Sequence, residues 1–527
     1  MVATYAEHGV SSPDSGELVR IRERLVRPLP DNGWRGWLLP LAVMAVGALL
    51  RFWQLGRPKG VVFDEVYYEH DAWSLLHHGV ELDKNSGDKT AGFIVHPPVG
   101  KWMIAIGEAI FGHNSFGWRF AAAIVGSLAI LMVARIGRRL FRSTFLGCVA
   151  GLLLTFDGLE FVQSRVAMLD IFLMFWVLAA FGCLVVDRDD GRRRVVAKLD
   201  EIRAATGRGP WLGFRPWRLA CAVCLGLAVA TKWDGLFWIP VFVVLGVFWD
   251  AGARRVAGAR YAFDDAVGVD MLPWLAVFIV VPLVVYVVSW TGWFLSDGQH
   301  AYDHDRYVHA GQSWLAHDIA VFHGWLTYHR EMYHFHSTLD SAHPYLSRPA
   351  GWLLLVRPVA YFYASPHGCG ADACSQEVLG VGTPALWWAT IPALVLTLWR
   401  WVARRDWRAA ALIVTFLAGY LPWFYEDAHH RTMFLFYMLP VVPFMALIVA
   451  MTLGSFLGNP WQERRRIFAS IAVGAYLIVV IANFAWLRPV LAGDVITYDQ
   501  WHHRMLFTTC DPAKHRNEHH ENAPCWI

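Results

Sequence analysis

Two adjacent carboxylates, Asp64 and Glu65, follow the first long apolar segment of the chain. A carboxylate that stays ionised and lies within hydrogen-bond reach of a hydroxyl can remove its proton as a general base. The pair also fits a structural role, in which Asp64 caps a helix that begins at Glu65 and Glu65 interacts with the helix dipole. The flanking Phe63, Tyr67 and Tyr68, together with nearby cations, favour the chemical role, but both interpretations stay open.

Four cations lie near the ends of apolar segments: Arg51, Arg119, Arg165 and Lys232. The distribution of arginine along the chain puts these ends on the outer side of a membrane. Charged groups at membrane depth are costly and are usually paired or functional. Three carboxylates are available to pair with them: Asp157, Asp170 and Asp234. The cations therefore belong either to an ion-pair network or to a site for an anionic phosphate, whose oxygens suit Arg and Lys.

Histidine is abundant in the region 294–381, which includes His300, His304, His309, His317, His323, His329, His334, His336 and His343. No pair of them follows the H-E-x-x-H pattern of a zinc site, so hydrogen bonding is favoured over metal binding. The chain also lacks a P-loop and a G-x-G-x-x-G motif after a strand, which disfavours ATP hydrolysis. We expect a reaction that uses an activated donor and no metal.

Composition identifies the class of protein that positions these residues. The 527 residues are 56% hydrophobic and 17% charged, which is too apolar for a soluble protein. The net charge of +3 gives no indication of nucleic-acid binding. A membrane-spanning helix needs about 20 mostly apolar residues. About eleven segments qualify, which predicts an all-α polytopic fold: 36–55, 114–134, 144–162, 166–186, 217–231, 235–250, 271–293, 382–401, 409–425, 432–453 and 468–487.

Arginine placement orients these segments, because cytoplasmic loops are enriched in Arg and Lys. With eleven spans, the arginine clusters all fall on one side: 20–27, 135–142, 188–194, 254–260, 400–408 and 464–466. The predicted organisation is a cytoplasmic segment 1–35, an N-terminal transmembrane module 36–293 with external loop 56–113, a large external loop 294–381, transmembrane helices 382–487 and an external tail 488–527. We expect the first span to be an uncleaved signal anchor of a cell-membrane protein.

Two stretches of the external loops carry an apolar stripe at helical spacing. The first contains Val99, Trp102, Met103, Ile106 and Ile110, and the second contains Leu315, Ile319, Phe322 and Leu326. The first is about 12 residues long, which is too short to span a bilayer. We expect both to be helices that lie in the outer interface, where an enzyme could meet the head group of a lipid substrate.

The cysteines agree with this topology. Cys148, Cys183, Cys221 and Cys224 fall within spans, whereas Cys369, Cys374, Cys510 and Cys525 are extracytoplasmic. The external four can form two disulfides in three connectivities, or they can remain free thiols.

Six short motifs resemble those of protein O-mannosyltransferases and occur in the same order. They are Val62-Phe63-Asp64-Glu65, His96-Pro97-Pro98-Val99-Gly100-Lys101, Gly117-Trp118-Arg119, Gln163-Ser164-Arg165 with Leu169-Asp170, Thr231-Lys232-Trp233, and His343-Pro344-Tyr345-Leu346-Ser347. The resemblance is closest to the actinobacterial branch of this family. It extends from about residue 36 to Trp526.

The resemblance implies a C-type glycosyltransferase (GT-C) fold with its active site at the outer face. The implied donor is polyprenyl-phosphate mannose, and the implied acceptor is a Ser or Thr hydroxyl of a secreted or membrane protein, met during translocation. The family inverts the anomeric centre and forms an α-O-mannoside. In this scheme Asp64 removes the hydroxyl proton, and Glu65 orients the acceptor or the sugar.

Further roles belong to the same scheme. If Arg119, Arg165 and Lys232 neutralise the leaving phosphate, no metal or other cofactor is required. His343 and Tyr345 are candidate donors of hydrogen bonds to the phosphate or sugar. A helix N-terminus would keep Asp64 ionised and weaken it as a base, which a late proton transfer would tolerate.

Three residues are candidates for support of the structure or the donor: His96, Asp157 and Asp170. His96 precedes Pro97 and Pro98, which can fix the turn into the first interfacial helix.

The sequence departs from eukaryotic relatives in one respect, because loop 294–381 is too short for their β-trefoil module. Two other functions stay open. The nearer is a related lipid-dependent transferase that acts on a glycan or lipid acceptor. The more distant is a transporter, for which inverted repeats and broken helices would be expected, and the sequence has no such repeat.

Overall fold

The computed structural model describes residues 15–29, 33–87, 90–92, 95–296, 307–309, 311–458, 463–507 and 526. The first half consists of α1 (Ser15–Leu25), α2 (Arg35–Phe52), α3 (Glu65–His78), α4 (Val99–Phe111), α5 (Ser115–Phe141), α6 (Thr144–Thr155), α7 (Gly158–Gln163), α8 (Asp170–Ala197), α9 (Leu199–Ala204), α10 (Pro216–Val229), α11 (Trp238–Ala257), α12 (Ala262–Asp265), α13 (Leu272–Ser289) and α14 (Thr291–Leu295). The predominance of helices agrees with the predicted fold class.

The second half contains helices and three short strands. The helices are α15 (Trp314–Thr338), α16 (Pro349–Trp352), α17 (Pro384–Arg404), α18 (Trp407–Tyr420), α19 (Pro422–Ala428), α20 (Val442–Phe456), α21 (Glu463–Ala492) and α22 (Tyr498–His502). The strands are β1 (Val359–Ala364), β2 (Cys374–Gly380) and β3 (Val495–Thr497). Short 3₁₀ turns cover Lys84–Ser86, Trp233–Phe237 and Leu435–Val441, and a π-turn covers Ala266–Met271.

Eight described helical segments are long and apolar enough to cross a membrane: Ser115–Phe141, Asp170–Ala197, Trp233–Ala257, Ala262–Ser289, Pro384–Arg404, Trp407–Ala428, Leu435–Phe456 and Ile467–Ala492. Three shorter apolar helices accompany them: Gly36–Phe52, Thr144–Thr155 and Pro216–Val229. Together they overlap the eleven predicted segments. The number of spans and the domain boundaries stay predictions.

The helices pack into one bundle around α5 and α8. Helix α5 packs against α2, α4, α6 and α8, and α10 packs against α8 and α13. Helix α3, which begins directly after Asp64, packs against α4. Helix α3 is therefore joined to the bundle through α4, which packs in turn against α5.

Both predicted interfacial segments are helical. The stripe on α15 faces outward, but on α4 only its second half does, because Val99 is buried and Trp102 and Met103 are partly buried. On α4, Ile106 and Ile110 are 57% and 62% exposed, whereas Lys101 and Glu108 are each 1% exposed. On α15, the side chains of Leu315 and Ile319 are likewise exposed. Exposed apolar residues over buried charged ones are typical of a surface that meets lipid.

A small antiparallel sheet, with the strand order β1-β2-β3, was not predicted. Strands β1 and β2 pair with a register irregularity between Ala360 and Phe362. Cys369 and Cys374 form a disulfide within the β1–β2 connection. The other two cysteines considered for a disulfide, Cys510 and Cys525, lie outside the described residues, as do His300 and His304.

Candidate active site

Asp64 immediately precedes helix α3 but does not cap it through its side chain. Within the described part of the chain, its carboxylate makes no hydrogen bond or ion pair, and the side chain is half-buried. The capping interpretation of Asp64 is therefore wrong. An uncommitted carboxylate at this position is available to an incoming hydroxyl.

The backbone conformation of Phe63 sets the position of Asp64. Phe63 has φ +51°, which lies in the left-handed region that a bulky residue rarely adopts. Its ring stacks on Tyr361 at 5.0 Å and meets the edges of Phe434 and Phe436. Such strain persists only where surrounding contacts hold it, and it is concentrated at functional sites.

The pKa of Asp64 is raised to about 6, chiefly by burial and also by the charge of Asp170, while the charge of Lys232 opposes both. This direction is opposite to the expected effect of a helix N-terminus, because desolvation outweighs the dipole here. With a pKa near 6, the carboxylate is still mostly ionised at neutral pH and is a stronger base than an ordinary aspartate.

Glu65 has a different environment from Asp64, because all of its acceptor positions are used. Arg119 donates two hydrogen bonds to its carboxylate, each 2.7 Å long. The backbone N–H groups of Val62 and Ala167 donate two more, each 2.8 Å long. Glu65 is fully buried. These contacts connect the loop before α3 with α5 and the α7–α8 connection, and they leave no lone pair directed at a substrate.

Arg119 was predicted to bind phosphate, but its donors are engaged elsewhere. Besides Glu65, its guanidinium donates to the backbone oxygens of Pro58 at 2.8 Å and Gly60 at 2.9 Å. Its side chain is 1% exposed. The structure therefore places Arg119 beneath the loop that leads to Asp64, where it fixes that loop.

Arg165 also contacts backbone oxygens. It donates to the carbonyls of Arg51 and Trp53, at 2.7 Å each, where α2 ends. A cation at a helix C-terminus complements the helix dipole. Arg51 itself forms an ion pair with Glu160. Neither arginine has the set of contacts expected of a dedicated phosphate ligand.

Lys232 is the predicted cation whose position fits the site best. Its ammonium lies 3.0 Å from Asp170 and 3.9 Å from Asp234, and 5.1 Å from the centre of the Tyr437 ring. Two of the three predicted carboxylate partners are thus correct. Because its charge acts on Asp64, Lys232 belongs to the surroundings of the candidate base.

Asp157 is the third predicted partner, and its role is structural. It accepts hydrogen bonds from the Glu160 backbone N–H at 3.0 Å and from the indole of Trp387 at 2.7 Å. It therefore caps α7 and joins that helix to α17.

His96 lies in a cluster of two cations and two imidazoles, which we define as His96, Lys232, His336 and Arg431. The imidazole of His336 donates to the backbone oxygen of Val95 at 2.7 Å and accepts from Arg431 at 3.3 Å, which fixes a neutral tautomer. His96 stacks on His336 at 5.1 Å. Burial and the neighbouring positive charges lower the pKa of His96 well below its usual value.

His343 lies next to Phe63, and Tyr345 lies next to His343. His343 meets the edges of Phe63 and Phe434, at 6.4 and 4.9 Å between ring centres. Its Nδ1 accepts from the Tyr345 backbone N–H at 3.2 Å. Its pKa is lowered by burial and by Arg357. Both side chains are only partly buried, so they border the site without being enclosed in it.

Several members of the site were missed from the sequence. Arg431 has a buried Nε atom with no partner among the described residues, and Tyr361 accepts a 2.6 Å hydrogen bond from Gln163. The sequence indicated His336 only as one of many histidines in loop 294–381. No motif pointed to Arg431, because it precedes a late span and is brought to the site only by the packing of the helices.

One metal-ligand cluster occurs among the described residues, Glu69 with Glu108 and His113. It lies on α3, α4 and the connection between α4 and α5, and it does not include Asp64. The sequence did not predict it, because its ligands are separated by up to 44 residues.

Comparisons with known proteins match almost the whole chain. Residues 41–291 match the family model for dolichyl-phosphate-mannose-protein mannosyltransferase, and residues 321–510 match the C-terminal four-transmembrane region of protein-O-mannosyltransferase. The polyprenol-phosphate-mannose–protein mannosyltransferase of Mycolicibacterium smegmatis (strain MKD8) is 42% identical over 493 residues, which cover 90% of this chain and 94% of that protein. The protein of the same name from Mycobacterium tuberculosis (strain H37Rv) is 40% identical over 489 residues, covering 90% and 91%.

The fold is also found in a solved structure. The S. cerevisiae protein O-mannosyltransferase Pmt1-Pmt2 complex, bound to its sugar donor, matches with a TM-score of 0.69 and 15% identity over 94% of each chain. At this identity the match shows the fold alone. It confirms the predicted GT-C architecture.

Proposed function

The chain belongs to the dolichyl-phosphate-mannose-protein mannosyltransferase family, and we propose that it transfers mannose from polyprenyl-phosphate mannose to a Ser or Thr hydroxyl of an acceptor protein. One observation carries the assignment of the base: Asp64 keeps a free carboxylate with a raised pKa, while every acceptor position of Glu65 is occupied. Family membership disfavours the transporter alternative.

In the proposed step, the acceptor hydroxyl oxygen attacks C1 of mannose on the face opposite the phosphate. The C1–O bond to the phosphate breaks, and its electron pair stays on the phosphate oxygen. The hydroxyl proton passes to the Asp64 carboxylate, so atoms and charge balance. Attack from the opposite face inverts a β-linked donor to an α-O-mannoside.

Lys232 and Arg431 are the proposed partners of the departing phosphate. Lys232 is balanced by Asp170 at rest, and Arg431 keeps one unpartnered, buried Nε within the described structure. Fixed cations near a developing anion stabilise the transition state without reorganisation. His343 and Tyr345 are proposed donors to the sugar or phosphate. We assign Arg119 and Arg165 to positioning instead, because their donors are committed to Glu65 and to backbone oxygens.

We also propose that no metal takes part in the transfer step. Lys232, Arg431 and the imidazoles of His96 and His336 support this proposal, because they can supply charge and hydrogen bonds to a leaving phosphate. An added chelator should leave the initial rate of a short assay unchanged, and added Mg²⁺ or Mn²⁺ should not raise it. An initial rate that falls on addition of the chelator while Tm is unchanged, and that Mg²⁺ or Mn²⁺ restores, would contradict this proposal.

The orientation rests on the arginine clusters, which favour a cytoplasmic N-terminus and an external active site. We propose a location in the cell membrane, with secreted proteins as acceptors during translocation. Cysteines introduced at exposed positions and labelled with an impermeant thiol reagent in whole cells test the sidedness. Labelling of Arg193→Cys but not of Tyr333→Cys would contradict the proposed orientation.

The acceptor class is tested with purified protein, labelled polyprenyl-phosphate mannose and a Ser/Thr-rich peptide. We expect label on the peptide, released by α-mannosidase, and none on a matched peptide in which every Ser and Thr is Ala. Asp64→Asn serves as the enzyme control. Transfer to a glycan or lipid with none to the peptide would favour the related transferase instead.

A further inference from the structure

Three titratable side chains meet on the far side of α3 from the candidate base. Glu69 lies five residues after Asp64, about 7.5 Å along the helix axis and about 140° around it. Its carboxylate meets Glu108 of α4 and His113, which precedes α5. The three are separate from the residues proposed for mannosyl transfer, so a role for them does not rest on that function.

Glu108 is buried without a hydrogen-bond partner among the described residues. Its residue is 1% exposed, and both carboxylate oxygens lack such a partner within the described part of the chain. Burial and the nearby charge of Glu69 raise the pKa of Glu108 to about 9. An unpaired buried carboxylate is costly, so this one requires either a proton or a cation.

His113 presents one nitrogen to both carboxylates. Its ring stacks on Trp73 at 4.8 Å and meets the edge of Trp118 at 5.6 Å, which fixes its orientation. Its Nε2 contacts Glu69 and lies 3.7 Å from Glu108. The imidazole edge therefore faces the space between the two carboxylates.

The geometry is close to that of a metal site. The three ligand atoms all lie within 4.8 Å of one another. Ligands about 2.1 Å from a tetrahedral Zn²⁺ are about 3.4 Å apart, so small side-chain rotations suffice. Lys84 lies 2.9 Å from Glu69, but its side chain is 57% exposed and can move into solvent.

We propose that Glu69, Glu108 and His113 bind one Zn²⁺, with water at the fourth position. A mixed set of imidazole and carboxylate ligands suits zinc, and two carboxylates balance its charge. The ion joins α3 and α4 to the start of α5, and it stabilises the helix that Asp64 immediately precedes without touching the reacting atoms.

The main alternative to bound zinc is a protonated Glu108 without metal. Glu108→Gln separates these two states, because an amide resembles the neutral acid but is a poor zinc ligand. His78→Gln is the matched control, since His78 is exposed at the end of α3 and is not part of the cluster. All proteins carry a tag without histidine.

The test strips metal from wild type, Glu108→Gln and His78→Gln in detergent, adds Zn²⁺ and measures bound metal and Tm. We expect wild type and His78→Gln to hold one more zinc per chain than Glu108→Gln, with Tm raised by about 3 °C or more only in those two. Equal zinc content and equal Tm shifts in all three would overturn the proposal.

Cobalt provides a readout that does not depend on how well the variant folds. Stripped wild type should acquire visible Co²⁺ absorption at one ion per chain, and equimolar Zn²⁺ should displace it. A wild type without such a band, or with one that Zn²⁺ does not remove, would overturn the site even if Glu108→Gln were misfolded.

Discussion

At the scale of single residues, the carboxylates of Asp64 and Glu65 differ in what surrounds them. Glu65 accepts four hydrogen bonds, two of them from Arg119, whereas Asp64 accepts none from the described residues. Hydrogen bonds and opposite charge favour the ionised form of a carboxylate, and burial alone disfavours it. The carboxylate of Asp64 therefore combines a raised pKa with free lone pairs, whereas the lone pairs of Glu65 are all occupied.

The environment of Asp64 sets the pH dependence of transfer. The base must be ionised, so kcat/KM should fall about tenfold per pH unit below pH 6 and level off above it. Asp170→Asn removes a charge that raises the pKa of Asp64, so the acid limb should shift to lower pH. Rates measured from pH 4.5 to 8 test both, and an acid limb near pH 4 in wild type would contradict the assignment.

Residue type and position were enough to predict Asp64 as the base, but not the roles of its neighbours. The partner of Glu65 lies 54 residues away in the chain, and the partner of Arg51 lies 109 residues away. A sequence shows which charges lie at membrane depth. It does not show which of them pair with each other, because the pairing depends on how the helices pack.

At the scale of elements, the loop from Gly60 to Asp64 depends on Arg119. Replacing Arg119 by Ala leaves the buried Glu65 carboxylate without its cation, which costs about 3–5 kcal/mol. We expect a clear loss of Tm in detergent. Arg57 is an exposed arginine in the connection between α2 and α3, and Arg57→Ala should change stability by about 0.5 kcal/mol or less. Similar losses in both variants would refute the role given to Arg119.

The aromatic contacts of Phe63 give a second prediction for this loop. Phe63→Ala removes the stack on Tyr361 that supports the left-handed conformation. A displaced Asp64 should lower kcat by about tenfold or more, with folding retained. Tyr67→Ala is the control, since that ring is 63% exposed on α3. Steady-state kinetics would contradict the prediction if the two variants were equally active.

Element prediction succeeded where periodicity was strong. The stripe on α4 was predicted over about 12 residues, and the helix spans Val99–Phe111. The three-stranded sheet was missed, because β3 has only three residues and pairs with β2 more than a hundred residues earlier. Short strands with distant partners leave little local signal.

At the scale of the whole molecule, the outward apolar faces of α4 and α15 predict how the bundle meets lipid. A fluorophore attached at Ile319, whose side chain is 61% exposed, should be quenched by nitroxide-labelled lipids in vesicles. A fluorophore at Asp372, an exposed residue in the connection between β1 and β2, should be quenched less. Equal quenching at both positions would show that α15 does not lie in the interface.

The architecture of the molecule was predictable because hydropathy and arginine placement act over long segments. All eleven predicted segments overlap apolar helices, although three of these are shorter than a full span. The site was only partly predictable. Lys232 and Asp170 were each predicted as candidates, and the structure pairs them. Arg431 enters the site through packing that no local pattern encodes.

The most direct test of the account compares Asp64→Asn with Glu65→Gln in one mannosyl-transfer assay, with Tm measured for each protein. We predict that Asp64→Asn keeps the wild-type Tm within about 2 °C and loses roughly 100-fold or more of the rate. Glu65→Gln should mainly lower Tm, because it weakens the contact with Arg119. An Asp64→Asn protein that transfers mannose at the wild-type rate would contradict the central claim that Asp64 accepts the hydroxyl proton.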